Sequence, residues 1–178
     1  KQMNKIMNKR PTEKEYASFY AKYIAQIKGN DIMEVLAQHT AKVIAFMESI
    51  EAEKWNFRYA ENKWSIKELY IHLIDAERVM AYRALRIARN DKTALAGYEQ
   101  DDYVPFSAAD TRTKASIIAE YRAVREGSMQ LFKNFTPEMW ERSGIASGWP
   151  VSVLALAYII VGHELHHVQV LKERYLKA

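Results

Sequence analysis

A chain of 178 residues, 49% hydrophobic and 27% charged, has the ordinary balance of one soluble globular domain with a sizeable core. The formal net charge of +4 comes from basic residues interleaved with acids, so neither a nucleic-acid nor a membrane partner is expected. There is no cysteine, which excludes disulfides, thiolate metal ligands and a protein thiol nucleophile, and suits a reducing, cytoplasmic compartment.

The first eleven residues, KQMNKIMNKRP, read as a charged tail without the apolar core of a secretory signal. Residues 12–178 read as a single all-α domain, because six glycines and four prolines leave room for long helices and few tight turns. Thr12 and Glu15 form a T-x-x-E capping box, and Tyr16, Phe19, Tyr20, Tyr23, Ile24 and Ile27 recur at helical spacing up to Gly29-Asn30. This predicts a first helix whose aromatic stripe packs on a neighbour. A second helix is capped by Asp31, with its apolar positions at Ile32, Val35, Leu36, Val43, Phe46, Met47 and Ile50; His39 falls on that stripe and reads as a satisfied core or rim residue rather than a ligand. A third opens with the capping box Ser65/Glu68, with Trp64 placed to staple against Leu69, and carries His72 beside its buried stripe. Arg78, Arg83, Arg86 and Arg89 of that helix read as a solvated basic edge. Residues 91–109 form a connection long enough to cross a bundle lengthwise and to border a site. A fourth long helix begins around Asp110, Thr136-Pro137-Glu138 starts a short one, and residues 143–150 read as a loop. Ser152 caps the last helix. Its apolar run, Val153 to Gly162, falls short of the ~20 residues a membrane span needs. The architecture is therefore a four-helix bundle with an additional N-terminal helix and long crossover connections.

The last helix carries His163, His166 and His167 within five residues. At ~100° per residue, His163 and His167 lie ~40° apart on one face, which Leu156, Ile159, Ile160 and Val170 share. Two imidazoles converging on one spot make half of a tetrahedral metal site. His166 sits ~80° off that direction and is the weaker candidate. The better third ligand is His72. If the two helices run antiparallel with aligned ends, all three imidazoles meet at one end of the core. Asp75, one turn from His72, and Glu164 are candidates for an outer shell around the metal. His163-Glu164-Leu165-His166-His167 also satisfies H-E-x-x-H, the zinc-protease pattern. Val170 and Glu173 stand where the extended protease pattern needs Gly and a third His, so a protease ranks low.

The blocks KWSIKELYIHLIDAER (63–78) and GHELHHVQVLKERYL (162–176) resemble the DinB/YfiT-like metalloenzyme family, a bundle family unrelated to the DNA polymerase sharing the DinB name. The likeness runs from Arg10-Pro11 to Tyr175. It implies a four-helix bundle holding one divalent ion per chain (Zn, Ni, Fe or Mn) through three histidines. His72 matches the W-S-x-x-E-x-x-x-H position, and His163 and His167 match the H-x-x-x-H of the last helix. Characterised relatives include thiol-dependent S-transferases and a thiol-dependent maleylpyruvate isomerase that use bacillithiol or mycothiol, and many are homodimers. The resemblance implies an enzyme acting on a small-molecule substrate, with a low-molecular-weight thiol as cosubstrate. S-transfer is placed ahead of metal-dependent hydrolysis, and a non-catalytic metal-binding or stress-related interaction protein stands as the third alternative.

Overall fold

The computed structural model describes residues 9–177. Most of the N-terminal tail read from the sequence lies outside the described residues. Four long helices form the body: α2 (Ile32–Ser49), α3 (Ile66–Ala88), α5 (Lys114–Lys133) and α7 (Val153–Val170). Shorter helices α1 (Ala21–Ile24), α4 (Gln100–Tyr103) and α6 (Pro137–Glu141) lie in the connections. The caps are those expected from the sequence. Asp31 Oδ1 accepts from Met33 N and Glu34 N, Ser65 and Glu68 cap reciprocally, and Ser152 Oγ accepts from Ala155 N. Thr113, rather than a residue near Asp110, caps α5.

The long helices close a ring in the order α2, α5, α3, α7. Ile32 and Leu36 of α2 join one apolar cluster with Met80–Ala88 of α3, Phe132 of α5 and the first half of α7. Val43 and Met47 join the other with Ile66–Ile74, Ile117, Ile118, Val168 and Leu171. Helix α3 is therefore antiparallel to α7 but parallel to α5. A parallel pair needs a connection that returns along the whole bundle, and residues 89–113 supply it. From Val153 to Gly162 every residue of α7 is buried. By length and composition Val153–Tyr175 could cross a membrane, so the apolar stretch is longer than the sequence reading allowed, but 67% of its apolar window is packed inside the bundle.

Three local expectations are overturned. The first helix is broken: Glu13–Glu15 and Ser18–Tyr20 are single 3₁₀ turns, and only Ala21–Ile24 is α-helical. The Thr12–Glu15 capping box forms, but Tyr16 and Ala17 are extended. Arg10 then takes the carbonyls of Ile24 (2.8 Å), Ile27 (3.0 Å) and Gly29 (3.0 Å), ending helical growth. Residues 143–150 are largely a hairpin. β1 (Ser143–Ala146) pairs antiparallel with β2 (Trp149–Ser152) across Ser147-Gly148, whose positive φ values of 51° and 80° fit a tight two-residue turn. Leu95 of the crossover joins this hairpin through Ile145 O and Ser147 N. Finally, Arg83 is not on a solvated edge but buried, which matters below.

Gly162 fixes how the N-terminal segment meets α7. A Cβ there would lie 2.5 Å from the carbonyl oxygen of Tyr23, so backbone rather than a flexible side-chain end would have to shift. Gly162→Ala is expected to destabilise the protein by about 1–3 kcal/mol, as overpacking does. It should also loosen Tyr23 from its place beside His163. Urea denaturation and the near-ultraviolet dichroism of the tyrosines would check both, and an unchanged midpoint would refute the close approach.

Candidate metal centre

His72 enters from the second turn of α3, held in register by the Ser65/Glu68 cap. His163 and His167 enter from α7, one turn apart. Nε2 of His163 lies 3.2 Å from Nε2 of His72 and 3.0 Å from Nε2 of His167. One ligand nitrogen from each ring falls within 4.8 Å of the others. Nitrogens bound at ~2.0–2.1 Å around one tetrahedral ion stand about 3.3 Å apart, so two of the three spacings are within a few tenths of an ångström of a ligand set. The ring planes meet at 83°, 71° and 89°, edges converging rather than faces stacking. The three residues singled out from the sequence are thus brought together. His72 lies near the start of α3 and His163 and His167 in the later part of α7, where two antiparallel helices with aligned ends bring them together; Tyr175, just past α7, donates to the carbonyl of Trp64, just before α3.

Burial sets the protonation state. Desolvation holds His72 at about 4. It holds His163 at about 3 and His167 at about 2, with the neighbouring imidazoles adding to the effect. All three are neutral at pH 7, the form that coordinates metals. Aromatic rings wall the group: Trp64 lies 4.8 Å from His72, and Tyr23 lies 5.6 Å from His163. His166 turns away from the cluster toward Tyr23, at 5.1 Å. Nδ1 of His167 is buried without a hydrogen-bond partner, so among the described residues no second group orients this ring.

The two outer-shell candidates are placed differently. Asp75 lines the same small void as His72, about 10 Å³ and room for roughly one water. It makes no hydrogen bond to the ring; its carboxylate lies 3.6 Å from Arg78. Glu164 points away from the cluster and is fully engaged elsewhere. Its Oε2 accepts from Arg125 NH2 at 3.0 Å and lies 3.0 Å from His39 Nε2. His39 is buried as expected, but its Nε2 has no hydrogen-bond partner among the described residues, so it is not the satisfied residue the sequence suggests. With Glu164 locked behind the helix, the general base that H-E-x-x-H requires is missing.

A cleft of about 320 Å³ opens beside His163. Tyr20 and Tyr23 form one wall, Tyr98 and Gln100 from the crossover form another, and Arg83 lies along it. The connection 91–109 therefore borders the site, as its length suggested. Sequence reasoning missed Arg83 as a site residue. The signal was present: eleven residues beyond His72 is a rotation of only ~20°, so both leave α3 on the same face.

The DinB superfamily matches residues 36–171. The structure of YfiT from Bacillus subtilis, described as "a probable metal-dependent hydrolase with an unusual four-helix bundle topology", superposes with a TM-score of 0.68 at 14% identity, covering 93% of this chain and 91% of that one. A DinB-like protein, YjoA, also from Bacillus subtilis, superposes with a TM-score of 0.57 at 19% identity over 80% and 87% of the two chains. At these identities the likeness is one of fold. No curated protein sequence matches the chain. The family match takes in most of α2, the other three long helices and the three converging histidines, and on that ground the chain belongs to the DinB superfamily.

Proposed function

We propose that this protein is a metal-dependent enzyme acting on a small organic molecule, with His72, His163 and His167 as the ligands of one divalent ion. The observation that carries the reading is the convergence of three neutral imidazole nitrogens beside an open cleft. An ion held by three uncharged ligands supplies a Lewis acid that lowers the pKa of a bound thiol or water. The chain's own residues do the rest. Tyr20, Tyr23 and Tyr98 confine the substrate in the cleft, and Trp64 covers His72 on its other side. The locked Glu164, which leaves H-E-x-x-H without its general base, argues against a peptide substrate.

We assign the nucleophile to a low-molecular-weight thiol such as bacillithiol or mycothiol. A chain without cysteine takes its sulfur from a cosubstrate, and a cleft of about 320 Å³ lies in the range of small-molecule sites. Hydrolysis is the second reading, favoured by Asp75. Burial raises its carboxyl from the ordinary value, the direction a general base needs, and it lines the void beside His72. The description of YfiT points the same way.

The test is to load the protein with Zn, Ni, Fe or Mn and offer an electrophilic substrate with and without bacillithiol, mycothiol, glutathione or coenzyme A. Thiol consumption that needs both the ion and His72 is the expected result. Turnover with water alone would replace S-transfer by hydrolysis. Metal binding without turnover across a broad panel would replace both by a non-catalytic metal-binding role.

A further inference from the structure

Two arginines are buried among the described residues, and their surroundings differ sharply. Arg125, 1% exposed, is neutralised by Glu77 and Glu164. Arg83, 4% exposed, has no carboxylate within 4 Å among the described residues. Its NH2 donates to Ala96 O at 2.9 Å and Ser147 Oγ at 2.8 Å, both neutral acceptors. NH1 reaches only the sulfur of Met80, at 3.9 Å. That leaves Nε–H and one NH1–H of the five donors without a carbonyl or carboxylate, the Tyr20 hydroxyl being their neutral neighbour. A buried guanidinium without a counter-charge carries an uncompensated desolvation penalty, so its position calls for an anion. Arg83 lines the cleft beside His163. The other charged residue lining that cleft is Glu99, which is exposed and beyond ion-pair reach of Arg83.

We propose that Arg83 is the anchor for a carboxylate of the small molecule bound in this cleft, so that the enzyme's substrate or cosubstrate is an organic anion. The inference deepens the function proposed above and rests on it only for the words substrate and cosubstrate. The charge balance selects a monoanionic carboxylate over a phosphate. Arg83 is the single cation lining the cleft among the described residues, so a dianion would be left half-compensated. With both NH2 hydrogens taken by Ala96 and Ser147, its Nε–H is the donor on that edge left for a carboxylate oxygen. The ring of Tyr98, 5.9 Å from Arg83 Cζ, covers one side of the guanidinium. Burial raises the phenols of Tyr20 and Tyr98, so both remain protonated and able to donate to an anion. Along α3 Arg83 stands about 16 Å from His72 at the level of Cα, so a ligand held at both ends is an elongated one.

The probes are benzoate, its neutral counterpart benzamide, and phenyl phosphate, titrated by calorimetry into metal-free and metal-loaded protein. Benzoate is expected to bind both forms more tightly than benzamide or phenyl phosphate. Arg83→Met should weaken benzoate at least tenfold and leave benzamide unchanged. Ser147→Ala, which removes a partner of Arg83 but not its charge, should keep benzoate binding. Should Arg83→Met fail to fold, the Nε–H proton resonance of Arg83 in wild-type protein gives the answer, shifting with benzoate and not with benzamide. No preference for benzoate, or no response of that resonance, overturns the proposal. Carboxylate binding to a protein that holds no metal at His72, His163 and His167 would sink the proposed function while leaving this anion site standing.

Discussion

Replacing His163 by Ala is expected to abolish tight binding of a divalent ion. His163 is the hinge of the cluster, since its Nε2 is the atom within 3.2 Å of both other rings. His72→Ala and His167→Ala should each weaken binding sharply, by more than the ~10–100-fold that loss of an outer hydrogen-bond partner costs. His166→Ala should change it only a few-fold, because that ring faces Tyr23. Elemental analysis of protein purified without chelator or nickel resin, followed by calorimetric titration, would measure all four. Equal losses from His166→Ala and His167→Ala would show that the wrong face of α7 has been assigned. The acid behaviour follows from the same geometry. Burial holds the folded histidines at about 4, 3 and 2, against an ordinary value near 6.5, so they stay neutral and able to coordinate below pH 6. In metal-free protein the sign is clear: between pH 6.5 and about 4 the unfolded chain binds protons that the folded one refuses. Stability is then full above pH 6.5 and falls with pH by up to about 1.4 kcal/mol per unit for each histidine. A metal-free protein whose urea midpoint stayed flat between pH 7 and pH 5 would mean that these rings are not desolvated.

Much of this was legible because helices announce themselves. The caps at Asp31, Ser65, Thr136 and Ser152 are local chemistry, and each forms as read. The pair His163/His167 needs only the pitch of a helix, and His72 was named by resemblance as well as by spacing. What could not be read is what depends on long-range closure. The segment Tyr16 to Ile27 has helical periodicity, yet Arg10 terminates it from a distance in the chain that no periodicity reveals. The hairpin at 143–152 turns on Ser147 adopting a positive φ, a conformation that serine seldom signals. Arg83 sits among Arg78, Arg86 and Arg89, and composition alone assigns all four to solvent. Only the crossover chain at Ala96 and the hairpin at Ser147, folded over it, make it a buried residue. Glu164 shows the same limit. Its angle placed it off the metal face, but nothing local disclosed that Arg125, 39 residues earlier, would claim it.

Arg125→Met is expected to destabilise the protein by about 3–5 kcal/mol at pH 7, the usual cost of stripping one partner from buried charges. Arg125 donates to Glu77 from Nε at 2.9 Å and from NH2 at 2.9 Å, and to Glu164 from NH2 at 3.0 Å. It also donates to Thr40 Oγ1 from NH1 at 2.9 Å, so α2, α3, α5 and α7 meet on one side chain. Burial alone would raise the Glu164 carboxyl, but Arg125 and His39 overrule it and hold it at about 2. In the wild type, that ionised carboxylate contributes stability above about pH 4.5, lost as the pH falls toward 2. In Arg125→Met the sign reverses. Two carboxyls left unpaired in a dry interior take up protons more readily than in the unfolded chain. The deficit should therefore shrink as the pH falls from 7 to 5, where the wild type gains nothing from this network. Urea denaturation of both proteins at the two pH values measures the difference, and a deficit that grew on acidification would show that the carboxyls are not stranded. Glu164→Gln separates structure from chemistry. It should weaken the bundle while leaving divalent-ion affinity within a few-fold, because the carboxylate faces Arg125 rather than the histidines. If Glu164→Gln instead retained the metal and abolished a peptidase activity, the zinc-protease reading of H-E-x-x-H would return.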